Sequence, residues 1–215
     1  MSPSRVASDE GLSILCPGCG SGIMDIDNEQ IDIPHFGMTL ISTMICQHCG
    51  YRSSDIVPLE SKPPRRFSIR IVSPEVLNIR VVRSATSSIS IPEMGVRIDP
   101  GAANDGYITN VEGVLLRIRG IICQLLDDLK KAEEDVPSWE LEKRTKNACD
   151  LIGRIDRVSS GAFGTGDAAT LVLEDPYGKG AIIDESGDIR VEDLTDDEVI
   201  SLIKGIEEKK RSESA

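Results

Sequence analysis

Two short repeats, Cys16-Pro-Gly-Cys19 and Cys46-Gln-His-Cys49, constrain this chain more than any other feature in it. A C-x-x-C pair bends into a tight turn that aims two sulfurs at one point. Two such pairs, with the residues from Gly20 to Ile45 between them, have the spacing of a four-thiolate zinc site. Zinc favours four soft ligands in a tetrahedron. A shell closed in this way leaves no position for water or substrate, so the metal is expected to be structural. Paired redox dithiols of the thioredoxin kind are the competing reading, but neither pair sits in a βαβ pattern. Residues 12–59 hold too few apolar side chains for a core of their own, so this segment is expected to fold only around its metal.

A chain of 215 residues has room for such a module and for a larger body. Aromatic residues make up 3% of it, so the body's core must be built from Val, Ile and Leu. The net charge of −12 disfavours a general nucleic-acid or anionic-membrane binder. Charge is unevenly spread. The stretch from Lys62 to Arg97 is basic (Lys62, Arg65, Arg66, Arg70, Arg80, Arg83, Arg97), and the segment from Asp184 onward is acidic. Either these are solvated faces, or the basic stretch meets an acidic partner or RNA. Cys123 and Cys149 fall in helical segments, where buried reduced thiols are expected. The first fifteen residues lack the pattern of a secretory signal, and no stretch approaches the about 20 apolar residues of a membrane span. A cytoplasmic protein with no membrane partner is expected.

Residues 1–11 read as a flexible terminus, and 12–59 as a zinc ribbon with a β-branched strand, Met38–Ile45, feeding the second knuckle. Asp25, Asp27, Glu29 and Asp32 belong to the exposed hairpin opposite that strand. They lack the Gly and terminal Glu of a calcium loop. Pro58 to Pro64 marks a boundary, since Pro-Pro ends regular structure, and a β-body spans 60–206. Alternation predicts strands at 67–72, 77–83 and 88–91, then at 170–173, 181–183 and 189–191. Between these two sets the period changes to 3.6. A capping box, Thr109 to Glu112, opens one helix, Ser138 opens a second, and an acidic loop (Glu133 to Asp135) joins them into a hairpin over about 109–157. A second box, Thr195 to Glu198, opens a closing helix over about 196–208, and the charged end, 207–215, is expected to fray. The fold class is α+β, mainly β: a four-cysteine zinc ribbon followed by an antiparallel β-sandwich with an inserted αα-hairpin.

Five elements occur in an order that resembles the ZPR-type zinc-finger family. They are Cys16-Pro-Gly-Cys19, Ile33-Pro-His-Phe36, Cys46-Gln-His-Cys49-Gly50-Tyr51-Arg52, Ile91-Pro-Glu93 followed by Ile108 to Leu115, and Leu173-Glu-Asp-Pro-Tyr-Gly178. The resemblance covers about 12–191. It implies a sandwich of double-stranded β-helix type carrying a helical hairpin. It also implies a single-unit, archaeal-like member, since eukaryotic members carry two units. Those members bind translation elongation factor 1-alpha and assist its folding, so the resemblance implies a chaperone-like adaptor for the corresponding factor.

Cys16, Cys19, Cys46 and Cys49 are the expected ligands of one structural Zn2+. His35 and Phe36, in the Pro-His-Phe element, are candidates for partner contact, though His35 has an alternative packing role beside the metal. His48 is expected to face water or to donate to a sulfur. Tyr51 and Arg52, just past the second knuckle, are the other partner-contact candidates, because Tyr and Arg concentrate binding energy. Glu112 and Gly113 are read as structural, one completing a cap and the other allowing close packing. Gly161 to Gly166 lacks the Gly-Lys-Ser/Thr ending of a phosphate loop. Both histidines lie in or beside the zinc module, so the body has no material for a catalytic triad or a histidine-ligated metal, and no enzyme is expected. Nucleic-acid binding through the ribbon and the basic stretch is the alternative function, opposed by the net charge and the few aromatics.

Overall fold

A computed structural model describes residues 14–34, 36–60, 62–100, 106–131, 137–164, 168–184 and 188–213. The ribbon is a three-stranded antiparallel sheet in the order β1 (Met24–Ile33), β2 (Gly37–Cys46), β3 (Arg52–Pro58). Its first two strands pair without a break from Met24 opposite Cys46 to Ile33 opposite Gly37. The carboxylates from Asp25 to Asp32 therefore lie along the full length of one arm.

The body is a sandwich of two antiparallel sheets. One is three-stranded, in the order β10 (Ala181–Ile183), β5 (Arg80–Arg83), β8 (Tyr107–Asn110). The other is five-stranded: β11 (Arg190–Asp193), β4 (Arg65–Ile71), β9 (Ala169–Asp175), β6 (Ser88–Ile91), β7 (Val96–Ile98). Alternation places Ile69, Ile71, Ile89, Ile91, Leu171 and Leu173 inward from the larger sheet, against Val81 and Ile182 from the smaller. The core is aliphatic, as the composition requires.

The helical hairpin closes one side of this core. Helix α1 (Val111–Lys131) buries Val111, Val114, Leu115 and Ile118, a stripe at helical spacing, and α2 (Ser138–Ser159) adds Ile155 and Val158. Arg119 on α1 pairs with Asp156 on α2 at 2.6 Å. The acidic loop expected between the helices lies outside the described residues. A closing helix, α3 (Asp196–Glu213), runs on past the 208 expected for it. Its opening is a capping box: the Thr195 N–H and hydroxyl both donate to the Glu198 carboxylate at 2.9 Å.

Three local expectations fail. Cys123 is only partly buried and Cys149 is exposed, because neither belongs to the stripe that its helix turns to the core. Leu77 does not belong to a strand, because Pro74 to Asn78 form a 3-10 turn and pairing starts only at Arg80. Proline at the first turn position fixes φ and withholds an N–H from any ladder. Nor does Thr109 open α1. It pairs with Val81 inside β8, and Asn110 caps the helix instead, its Oδ1 accepting the Gly113 N–H at 2.8 Å. Gly113 is there for close approach, since a Cβ would collide with the Thr109 hydroxyl.

An apolar joint fixes the ribbon to the body. Ile33 and Phe36 from the β1–β2 turn and Ile56 from β3 are buried against Val82 and Ala181. The Gly106 N–H donates to the Ser54 carbonyl at 2.8 Å, and the Ala85 N–H to the Asp55 carboxylate at 3.2 Å. Lys62 donates to the Phe36 carbonyl and lies over the Phe36 ring. The Leu173 to Gly178 element secures this linker from the other side. Asp175 is 0% exposed and accepts the hydroxyls of Ser84 (2.6 Å), Ser87 (2.7 Å) and Thr86 (3.1 Å), while Gly178 adopts φ 65° where any Cβ would strike the Lys62 backbone.

Candidate metal centre

Two knuckles of one design carry the four cysteines. In each, the N–H of the glycine after the second cysteine donates to the carbonyl of the first: Gly20 to Cys16 at 2.8 Å and Gly50 to Cys46 at 2.9 Å. Both glycines are left-handed, with φ of 67° and 75°. The motif is therefore C-x-x-C-G twice over, since only glycine enters this conformation without strain. Backbone bonds anchor each turn, from Cys16 N–H to the Gly22 carbonyl (2.7 Å) and from Cys46 N–H to the Tyr51 carbonyl (2.8 Å).

The four sulfurs lie within 4.8 Å of one another, with Cys16 to Cys49 at 3.6 Å and Cys19 to Cys46 at 3.9 Å. A tetrahedron with metal–sulfur bonds of about 2.3 Å has edges of about 3.8 Å. The geometry is a site for one zinc ion. The donor chemistry agrees. N–H groups of Ser21 and Gly22 hold the Cys19 thiol down to about 5, with His48 also contributing a hydrogen bond. At Cys49 the Tyr51 N–H pulls the same way, but burial and the neighbouring thiols outweigh it and push the thiol up to about 12. Four thiolates crowded together need a cation at their centre, and zinc supplies it.

Two supporting residues carry no warning in a ligand-spacing argument. A Cβ on Gly22 would sit 2.5 Å from the Cys46 sulfur and 3.0 Å from the His48 Cβ, so this position is glycine because the metal site passes directly over it. The Tyr51 ring lies against Gly18 and packs with Cys16, Met24 and Cys46. Tyr51 thus roofs the first knuckle from the second, with only part of its surface left for anything else. Arg52 beside it is exposed. His48 is exposed as well as within reach of the Cys19 sulfur, so both of its expected roles are met. Phe36 is 3% exposed and built into the joint, which corrects its reading as a partner-contacting surface. His35 lies outside the described residues.

Three of the seven basic side chains in the stretch are paired with carboxylates of the same chain. Arg66 pairs with Glu174 (2.6 Å) and Glu198 (2.9 Å), Arg97 with Glu174 (3.1 Å) and Asp99, and Arg65 with Asp193 (3.0 Å). Arg83 is buried against the Tyr107 ring. No described helix is long and apolar enough to cross a membrane.

Comparison with known proteins agrees with this geometry. A family model of the ZPR1 zinc-finger domain matches residues 10–61, and one of the ZPR1 jelly-roll domain matches 75–199. An uncharacterized ZPR1-like protein of Methanocaldococcus jannaschii is 42% identical over 193 residues, 89% of either chain. Another, of Pyrococcus horikoshii, is 34% identical over 191 residues, covering 88% of this chain and 80% of the relative. The zinc finger chaperone zpr1 of Schizosaccharomyces pombe is 30% identical over 168 residues, covering 75% of this chain but 33% of the yeast protein.

Proposed function

Because the chain belongs to the ZPR1 zinc-finger family, we propose that it is a non-catalytic, cytoplasmic adaptor or folding factor for elongation factor 1-alpha. The observation that carries this reading is the closed four-sulfur centre, which leaves the metal no open position for chemistry and presents an exposed Arg52 beside it. The body supports it too. One of its polar clusters, Asp175 with Ser84, Thr86 and Ser87, has its hydroxyls committed to the carboxylate, and Asp175, Ser84 and Ser87 are buried. The fission yeast relative is called a chaperone, and this chain spans a third of it. RNA binding has less support, since Arg65, Arg66 and Arg97 of the basic stretch that suggested it are paired with this chain's own carboxylates.

Immobilised zinc-loaded protein and purified elongation factor 1-alpha from an archaeon test the reading directly. Binding is expected with the native chain, about tenfold weaker binding with Arg52→Ala, and none after chelation. Tyr51→Ala is a poorer probe, because Tyr51 also roofs the knuckle. Failure of the zinc-loaded chain to bind the factor in either nucleotide state would overturn the assignment.

A further inference from the structure

Among the described residues, most of one side of the ribbon's first strand is unpaired. In the order β1-β2-β3, β1 pairs with β2 along one edge, and among the described residues its other edge meets only Ile14 to Cys16, which pair with Gly22 to Met24 at its start. From Asp25 to Ile33 that outer edge has no pairing partner among the described residues. Sheet edges of this kind are usually blunted by proline, by a bulge or by shortness. This one is ten residues long, contains no proline, and keeps a one-to-one register throughout. Its backbone is therefore shaped to accept another strand.

What the edge carries is charge of a single sign. Asp25, Asp27 and Glu29 fall on one face of β1, and Asp32 falls on the other. All four are exposed, and none has an ion-pair partner among the described residues. Strand β2 holds no charged residue, and β3 adds Asp55 against Arg52. The dianionic zinc–tetrathiolate centre lies at the same end as Asp25. One-sign charge repels a second copy of the same edge and any acidic strand, but it leaves a basic one free to pair. Residues 1–13 carry Asp9 and Glu10 against Arg5, so they bring no excess of basic side chains to this edge.

We propose that the outer edge of β1 is a docking site for an extended, basic segment of a partner protein, added as a fourth strand with Lys or Arg opposite Asp25, Asp27 and Glu29. Backbone bonds would supply the pairing and the carboxylates the choice of partner. The assignment rests on the chain being a protein-binding module, but not on which protein it binds.

A peptide experiment separates the two. The probe is a ten-residue peptide of alternating lysine and valine, matched in length to β1. Its controls are the glutamate–valine counterpart and a lysine–valine peptide N-methylated at alternate residues, which keeps the charge and loses the pairing edge. Zinc-loaded full chain is expected to bind the first peptide alone. Exchange of β1 amides should slow on binding while that of β3 amides does not change. Replacing the four carboxylates (Asp25→Asn, Asp27→Asn, Glu29→Gln, Asp32→Asn), with zinc content checked, should weaken binding about tenfold. Equal binding of the N-methylated peptide would reduce the effect to electrostatic adsorption, and equal binding of the acidic one would remove the charge argument. Amides of the outer edge already protected in the free protein would assign it to residues 1–13 or to a second copy. Each of these three results overturns the proposal and leaves elongation-factor binding to be judged on its own experiment.

Discussion

The ribbon and the body solve the same problem by different means. The body buries a continuous aliphatic core between two sheets and two helices, and its order comes from residues far apart in the chain. The ribbon has three strands and no comparable core. Its far end is held by four sulfurs with Met24, Met44 and Tyr51 around them, and its near end by the joint of Ile33, Phe36 and Ile56 with the body. A three-stranded sheet alone is marginal in water, so the metal supplies what apolar burial supplies elsewhere. Instructions for the first are therefore local and chemical, and for the second distributed and physical.

The sharpest way to break this contrast is to remove the metal. Cys16→Ser, or a chelator, should unfold the ribbon between Leu15 and Val57 while the sandwich stays folded, because structural zinc contributes on the order of 10–16 kcal/mol to domains of this kind. Limited proteolysis within β2 with an intact fragment from the body is the expected result. Full zinc content in Cys16→Ser, or joint loss of both regions, would show that they are one cooperative unit. The converse change is smaller. Leu171→Ala empties a fully buried position in β9 and should lower the body's unfolding free energy by about 2–5 kcal/mol with zinc stoichiometry unchanged. Loss of zinc on that substitution would contradict the separation.

This division also explains what could be read from the sequence. The metal ligands were legible because a C-x-x-C turn is complete within four residues, and its geometry does not depend on the rest of the fold. The alternation of Phe67 to Ile71 and the helical stripe from Val114 to Ile118 were legible for the same reason: their period is local. Pairing across the fold was not. Arg66 finds its partners in Glu174 and Glu198, more than a hundred residues away, so part of a basic stretch that looked like a surface for acidic partners or RNA is internal wiring. Phe36 looked like a contact residue because its motif is distinctive, yet its position is set by Val82 and Ala181. Thr109 had the sequence of a cap, but pairing with Val81 committed it to a strand and passed the cap to Asn110.

Gly22 sharpens the comparison at a single atom. With a Cβ only 2.5 Å from the Cys46 sulfur, Gly22→Ala must displace either the knuckle or its ligand. Changes beside a metal's ligands typically cost about 10–100-fold in affinity. A competition titration against a chromophoric chelator should show a loss in that range, with the body's unfolding unaltered. Unchanged zinc affinity would mean that the knuckle yields without cost, and that the second C-x-x-C alone fixes the site.

The smallest expected effect concerns how far the body, too, depends on charge. Helix α3 is tied to the five-stranded sheet by Arg66–Glu198 at its start and by Lys209–Asp99 toward its end, with Ile206 buried between. The Thr195 N–H, then Arg66 and the Thr195 hydroxyl, hold the Glu198 carboxyl down to about 2. A folded carboxyl that keeps its charge to lower pH than an unfolded one stabilises the fold above the unfolded value of about 4.5, and this contribution fades as pH falls toward about 2. The gap in urea midpoint between the native chain and Glu198→Gln should therefore be fully present above pH about 4.5 and close as pH drops through that window. Screening at high salt should narrow it, because the pair is partly exposed. A gap that stays constant from neutral pH to about 2 would make the cap a matter of hydrogen bonds alone, and would leave the body as independent of charge as its aliphatic core suggests.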